Sequence, residues 1–190
     1  MPAIGLLLGA AVLCGQSRDA EIRAHLEQAE KAQQRGNLQA AASGFQKVIG
    51  LNPSDAEAHA RLGMVYRRLG RLGEATEALE RAWRLNPKLP RVGVLLAFAY
   101  MDAGRCQEAI PLLAADFEAE QKAPVRSVVG QRLVDCCLAA GNEDLALATV
   151  QKLRQMAPDD PEVLHLSLRV YLHSWNGAFQ RLLVKAPGSY

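Results

Sequence analysis

The chain has 190 residues and a formal net charge of +2, with 49% hydrophobic and 22% charged residues, so its composition excludes a wholly disordered protein. Its 31 Ala against 2 Thr and 4 Ile exclude a sheet-rich fold, because Ala loses no side-chain entropy in a helix whereas β-branched residues lose χ1 freedom there. The positive charge is too mild to indicate a nucleic-acid-binding protein, and no nucleic-acid partner is expected.

The first twenty residues predict a signal peptide. Residues 4–13 (IGLLLGAAVL) form an uncharged apolar run, which as a helix would rise only about 15 Å, half of what a bilayer core needs. No transmembrane helix is therefore predicted, and the run fits the hydrophobic segment of a secretory signal. The protein is expected to be exported, either periplasmic or secreted. Two alternatives remain open: lipidation at Cys14, or a cytoplasmic protein in which this segment is buried.

The rest of the sequence repeats with a period near 34 residues. Four glycines lie between apolar segments at spacings of 34, 34 and 37 residues: Gly36, Gly70, Gly104 and Gly141. Each is followed five residues later by an alanine: Ala41, Ala75, Ala109 and Ala146. Four prolines recur in the same way and predict the ends of second helices: Pro53, Pro87, Pro124 and Pro158. Each unit is thus predicted to be a pair of helices with a glycine at the turn.

Elementary packing explains the repeated positions. The glycine ends a helix in the left-handed conformation, which a Cβ would penalise. Small residues seven before and five after it let two antiparallel helices approach closely. Larger residues fill the space between hairpins at four positions before the glycine (Tyr66 and Tyr100) and nine after it (Phe45, Leu79, Leu113 and Val150). Asp55, Pro90 and Pro161 suit the starts of helices.

These positions resemble the tetratricopeptide repeat family, most closely in the unit that contains Leu62-Gly63, Tyr66, Gly70, Ala75 and Asn86-Pro87. The resemblance implies an all-α fold, an α-solenoid with a right-handed superhelix of about five antiparallel helix hairpins. Residues 1–20 are then the signal peptide and residues 21–190 the array, with repeats at about 22–55, 56–89, 90–126 and 127–160 and a partial repeat at 161–190. In the partial repeat, Ser174–Gly177 is predicted to link two short helices.

The resemblance also implies that the first helices line a concave groove that binds a peptide or helix of another protein. Helical spacing then assigns the candidate partner-binding residues: Arg61, Met64, Arg67, Arg68, Arg91, Val94, Phe98, Met101, Gln131 and Asp135. An apolar strip edged by arginines suits an acidic, partly apolar peptide. The alternative that Met64, Phe98 and Met101 are core residues stays open, because core side chains recur at the same spacing.

Catalytic motifs are absent from the sequence, so no enzymatic activity is predicted, and no cofactor or metal is expected. The positions at which some tetratricopeptide repeat proteins hold a chaperone carboxylate with Lys and Asn carry other residues here: Leu26, Glu30, Arg61, Arg91 and Leu95. The sequence therefore predicts a protein–protein interaction module. The alternative is a structural accessory subunit of a cell-envelope assembly, such as a pilus or outer-membrane machine.

Two features near the C-terminal end lead to further expectations. The segment Ala178–Val184 is largely apolar, whereas a terminal repeat helix normally presents a polar outer face. We therefore expect either that the chain is a fragment of a longer array or that this end docks on another molecule, with self-association as one such contact. After removal of the signal, three cysteines remain, an odd number without zinc spacing. Cys136 and Cys137 are interpreted as small core residues.

Overall fold

The computed structural model describes the backbone of residues 4–185 and the side chains of residues 17–185. This part of the chain is helical and contains no strand. Its helices are α1 (Ile4–Gln34), α2 (Leu38–Leu51), α3 (Ala56–Arg68), α4 (Leu72–Leu85), α5 (Val92–Asp102), α6 (Cys106–Ala119), α7 (Ala123–Ala140), α8 (Glu143–Met156) and α9 (Pro161–Lys185). The predicted all-α fold class is confirmed.

The helices form two compact units, residues 1–99 and 100–190. In the first unit α2 packs against both α1 and α3, and α3 packs against α4. In the second unit α7 packs against both α6 and α8, and α9 packs against both α8 and α7. Successive hairpins in each unit therefore bury their apolar faces against each other, as expected for a repeat array.

Glycines terminate the first helices as predicted. All four repeat glycines have a positive φ, at 76° for Gly36, 74° for Gly70 and 72° for both Gly104 and Gly141. Two of the turns are further fixed by arginines that follow the glycine, since Arg71 lies 4.4 Å from the Tyr66 ring centre and Arg105 lies 4.5 Å from that of Tyr100. The same Tyr–Gly–Arg arrangement thus closes two consecutive repeats.

The predicted small residues do allow close helix approach. A Cβ on Gly63 would lie 2.6 Å from Leu79 Cγ and 3.1 Å from the Ala75 carbonyl oxygen. The repeat alanines and the larger residues four positions after them are all completely buried: Ala41, Ala75, Ala109, Ala146, Phe45, Leu79, Leu113 and Val150. The packing role predicted for these positions is therefore confirmed.

Two local features differ from the sequence prediction. The helix α9 runs without interruption through Ser174–Gly177, so the last unit is one long helix and not a short hairpin. An interior glycine weakens a helix only modestly, so Gly177 does not by itself end α9. Pro124 lies in the first turn of α7 and does not follow the end of a second helix. Proline is tolerated there because its missing N–H would have no helical partner.

The N-terminal apolar run lies in the first half of α1, and its side chains fall outside the described residues, as does that of Cys14. Among the described residues, no helix is both long enough and apolar enough to cross a bilayer. Cys136 and Cys137 are completely buried, in agreement with their interpretation as core residues.

Candidate functional site

In the first unit the predicted groove residues belong to two first helices and the segment before one of them. Arg61, Met64, Arg67 and Arg68 lie on α3, Val94 and Phe98 lie on α5, and Arg91 immediately precedes α5. The apolar members Met64, Val94 and Phe98 are partly exposed, whereas the neighbouring Leu62 and Tyr66 are buried. These three side chains therefore lie at the surface of the first helices and not in the fully buried core.

One contact joins the two helices on this face. The Arg67 guanidinium carbon lies 5.5 Å from the centre of the Phe98 ring. A guanidinium within about 6 Å of an aromatic ring is attracted by the ring quadrupole. Arg67 and Phe98, predicted separately, thus form one mixed cationic and aromatic feature.

The charge of Arg61 is shared with two carboxylates. Its Nε donates a hydrogen bond of 2.8 Å to Glu57 Oε1, and its NH1 group donates to Glu30 of α1. The hydrogen bond to Glu57 is the main cause that raises the pKa of Arg61, while partial burial opposes it and Glu30 adds to the rise. Arg61 therefore ties α1 to α3, and any acidic ligand would compete with two resident glutamates.

Arg91 adopts an unusual backbone conformation at the entrance to α5. Its φ is 66°, the only positive value at a non-glycine position among the described residues. The left-handed region costs a residue with a Cβ roughly 1–2 kcal/mol. Its side chain is exposed, as is that of Arg68. These two residues are the exposed cations on the predicted face of the first unit.

In the second unit, Gln131 and Asp135 line an open cavity of about 350 Å³ between α7 and α9. Gln131 Nε2 donates a hydrogen bond of 3.2 Å to Glu162 Oε2, and Arg169 NH2 donates one of 3.0 Å to Asp135 Oδ1. The remaining lining residues are Pro161, His165 and Leu166. Met101, the other predicted residue in this unit, lies in the last turn of α5 and does not line the cavity.

Sequence reasoning missed the α9 side of this cavity. His165 and Arg169 lie 34 residues after Gln131 and Asp135, which is the repeat period. Extending the groove assignment by one more repeat would have found both.

A second cavity, of about 360 Å³, lies on another side of α3. It is lined by parts of α2, α3 and α4: Gln46, Ile49, His59, Leu62, Tyr66, Glu74, Glu77, Ala78 and Arg81. Two of these lining residues are bonded to each other, since Gln46 Nε2 donates a hydrogen bond of 2.7 Å to the Tyr66 hydroxyl. None of the predicted groove residues lies in it. This cavity is therefore distinct from the predicted surface.

The helix α9 carries most of the exposed large apolar residues in the described part of the chain. They are Leu164, Leu168, Tyr171, Leu172, Trp175, Phe179, Leu182 and Val184. The Trp175 and Phe179 rings are stacked, with centroids 5.3 Å apart and planes 6° from parallel. All except Val184 fall on one side of the helix by helical periodicity. We call these seven residues the α9 stripe.

Comparison with solved structures identifies the fold. YrrB, "a TPR protein with an unusual peptide-binding site", matches with a TM-score of 0.71 at 18% identity, over 87% of this chain and 86% of that chain. MamA AMB-1 matches with a TM-score of 0.70 at 20% identity, over 90% and 94%. PilF of Pseudomonas aeruginosa matches with a TM-score of 0.61 at 24% identity, over 84% and 72%. These likenesses show the α-solenoid fold.

Sequence comparison identifies the family. No curated protein sequence matches this chain. Residues 14–124, more than half of the chain, match the family model of the tetratricopeptide repeat protein 21 C-terminal ARM domain. Repeat scaffolds of this type are generally non-enzymatic and serve protein interaction. Both the family model and the four glycine-centred turns lead to one conclusion: this chain belongs to the tetratricopeptide repeat proteins, in the family of the tetratricopeptide repeat protein 21 C-terminal ARM domain.

Proposed function

We propose that this protein is an interaction module that binds an acidic, partly apolar peptide segment of a partner protein on the first-helix face of α3 and α5. The observation that carries the proposal is the partly exposed Phe98 ring with the Arg67 guanidinium beside it. Aromatic and arginine side chains in one patch are typical of the residues that dominate binding energy at protein interfaces.

The charge on this face supports an acidic ligand. Arg68 and Arg91 are exposed there, and a guanidinium pairs with a carboxylate through two parallel hydrogen bonds. Met64 on α3 and Val94 on α5 are partly exposed and supply apolar surface, and a Met side chain adapts to varied partners. In the second unit, Gln131 and Asp135 would contact polar groups of a ligand at the cavity beside α9.

Selection from a displayed random-peptide library would test this proposal. We expect selected peptides to be rich in Asp, Glu and apolar residues, and Phe98→Ala to weaken binding of a selected peptide at least tenfold by fluorescence polarisation. Phe179→Ala on α9 is the matched control, because it removes an exposed phenylalanine that lies outside α3 and α5 and should leave binding unchanged. Peptides without acidic residues, or equal losses in both variants, would contradict the proposal.

We further propose that the α9 stripe pairs with the same stripe of a second copy. Apolar residues along α9 alternate at spacings of four and three residues, which is the pattern of a helix that packs along a partner helix. They are Leu164, Leu168, Tyr171, Trp175, Ala178 and Leu182. In an antiparallel pair with its two-fold axis at residue 173, Leu164 faces Leu182, Leu168 faces Ala178 and Tyr171 faces Trp175. These six positions, five residues of the α9 stripe and Ala178, are therefore self-complementary, as a two-fold interface requires.

The charges at the two ends of α9 support the antiparallel arrangement. Asp159 and Glu162 lie at the N-terminal end, and Arg181 and Lys185 lie at the C-terminal end. Antiparallel pairing brings the acidic end of one helix to the basic end of the other, and it also opposes the two helix dipoles. A parallel pair would bring like charges together.

Sedimentation velocity would test the pairing. We expect a concentration-dependent dimer in the wild type, and a monomer after the double change Leu168→Glu and Trp175→Glu. Val184→Glu is the control, because Val184 is 81% exposed but lies off the stripe. A wild-type protein that stays monomeric at all concentrations would overturn the pairing. A wild-type protein whose stripe is covered by a different protein would overturn it as well.

We also propose that the protein is exported, on the basis of the apolar run of residues 4–13. N-terminal sequencing from an exporting host should find the mature chain starting between residues 14 and 20, and a cytosolic product that retains Met1 would contradict this.

The second candidate function is a structural subunit of a cell-envelope assembly, which the exposed apolar face of α9 favours. Recovery of a stoichiometric envelope complex, rather than transient peptide ligands, would support it over the interaction module.

A further inference from the structure

Two cysteine sulfurs lie unusually close together in the second unit. Cys106 is the first residue of α6, Cys136 lies in α7, and their Sγ atoms are 2.6 Å apart. Non-bonded heavy atoms attract best at about 3.5–4.0 Å, whereas the two sulfurs of a disulfide lie about 2.0 Å apart. The observed separation is nearer to the bond than to an ordinary contact.

We propose that Cys106 and Cys136 form an intramolecular disulfide in an oxidising compartment and that Cys137 remains a thiol. This covalent site is independent of peptide binding and concerns residues outside the candidate groove. Adjacent residues of a helix point about 100° apart, so the side chain of Cys137 is directed away from that of Cys136. In a reducing cytosol the same pair would stay as two thiols.

The reaction balances with a small disulfide, such as oxidised glutathione, as the oxidant. Cys106, which is partly exposed, attacks one sulfur of the oxidant as its thiolate and releases one glutathione thiolate. Cys136 loses its proton and attacks Cys106 Sγ, which forms the Cys106–Cys136 bond and releases the second glutathione. Two protein thiols are oxidised, one disulfide is reduced, and the two protons leave with the two glutathione thiols.

Burial explains why Cys106 reacts first. Cys136 is completely buried, and this burial is the main cause that raises its thiol pKa well above the usual range, with the hydrogen bond to Cys106 adding to the rise. A buried thiol is a poor first nucleophile because little thiolate is present and the oxidant cannot reach it. Once the mixed disulfide forms at Cys106, its sulfur is the group that Cys136 already contacts.

The bond would tie α6 to α7 and close a loop of 30 residues. Such a cross-link stabilises mainly by restricting the unfolded chain. We therefore expect oxidation to raise the melting temperature by about 5–10 °C, reversibly with dithiothreitol. The effect should be confined to the second unit, which contains both residues.

Peptide mapping of the full chain tests the proposal directly. After incubation with excess oxidised glutathione, blocking of free thiols and digestion with trypsin, residues 106–122 should be recovered linked to residues 133–152. Because the latter peptide carries both Cys136 and Cys137, variants assign the bond: Cys137→Ala should retain the linked peptides and Cys136→Ala should lose them.

Cys106→Ser provides an independent check, because it removes the disulfide without changing the buried Cys136. It alters only a partly exposed residue at the start of α6, so it remains informative even if Cys136→Ala folds poorly. Its melting temperature should not respond to oxidation. Recovery of Cys106 and Cys136 as free thiols after prolonged oxidation, or a bond from Cys106 to Cys137, would overturn the proposal.

Discussion

The guanidinium of Arg67 and the ring of Phe98 lie 5.5 Å apart and connect α3 to α5 on the predicted binding face. The two residues are 31 positions apart in the chain, and each belongs to the first helix of its repeat. The contact leaves the Phe98 ring partly exposed while holding it beside a cation. It therefore presents an aromatic side chain in a fixed place, which reduces the ordering cost of binding.

Alanine substitutions should separate the groove from the core. Phe98→Ala should weaken peptide binding but lower the free energy of unfolding by less than about 1.5 kcal/mol, since the ring is only partly buried. Tyr66→Ala should lower it by about 3 kcal/mol, because it leaves a cavity and removes the partner of Gln46. Urea denaturation of both variants gives the comparison. Equal destabilisation would show that Phe98 is a core residue.

Charge reversal on the binding face should act through long-range attraction. Arg68→Glu should slow association with an acidic peptide, by about tenfold at low salt and by less at high salt, because salt screens exposed charges. Arg84→Glu is the matched control, since Arg84 is also exposed but lies on α4, where it pairs with Glu80 at 3.5 Å. Stopped-flow measurements at several salt concentrations test this. The same loss in both variants would indicate an effect of net charge and not of the face.

Replacement of Arg91, whose backbone is strained, should change the stability of the protein and its affinity for a peptide in opposite directions. Arg91→Gly should raise the free energy of unfolding by about 1 kcal/mol, because glycine accepts a φ of 66° without a steric penalty. The same change removes an exposed cation and should weaken binding of an acidic peptide. Thermal denaturation and peptide titration of one variant measure both effects, and a destabilised Arg91→Gly protein would contradict the strain.

Two glycines on neighbouring helices should respond oppositely to a methyl group. Gly63→Ala should lower the free energy of unfolding by about 1–3 kcal/mol, because its Cβ would overlap Leu79 and approach the Ala75 carbonyl. Gly73→Ala should raise it by about 0.5 kcal/mol, because no atom lies within 4 Å of its Cβ and alanine is the better helix former. Chemical denaturation of both variants provides the test, which fails if Gly63→Ala is neutral.

The buried thiol of Cys137 predicts a loss of stability at alkaline pH. Burial is the main cause that raises its pKa to about 11, while the negative charge of a Cys106 thiolate adds to the rise. Because the unfolded thiol titrates near pH 8.5, its contribution to stability is complete below that pH and is lost as the pH rises toward 11. Melting temperatures from pH 7 to 10 should fall more steeply for the reduced wild type than for Cys137→Ala. If the melting temperatures of the two proteins fell in parallel with pH, the raised pKa of Cys137 would be contradicted.

The sequence by itself determined the elements and their core positions. The left-handed glycines and the buried alanines were predicted from spacing, and the start of α9 at Pro161 was predicted from the fit of proline to the start of a helix. They could be predicted because each depends on local backbone geometry or on a helical period, and the glycines and alanines recur at the same places in four successive units. The division of α3 into buried Leu62 and Tyr66 and partly exposed Met64 followed from the same period.

Only the tertiary structure decided which side chains meet across repeats. Three features depend on how one helix is placed on another. They are the sharing of Arg61 between Glu57 and Glu30, the Arg67–Phe98 contact and the approach of Cys106 to Cys136. The tertiary structure also decided that α9 is continuous. The sequence could not decide this, because the apolar residues of α9 fit a helical period whether or not the helix is broken at Ser174–Gly177. Helical periodicity determines the direction of a side chain but not its partner, since the partner is determined by packing between distant segments.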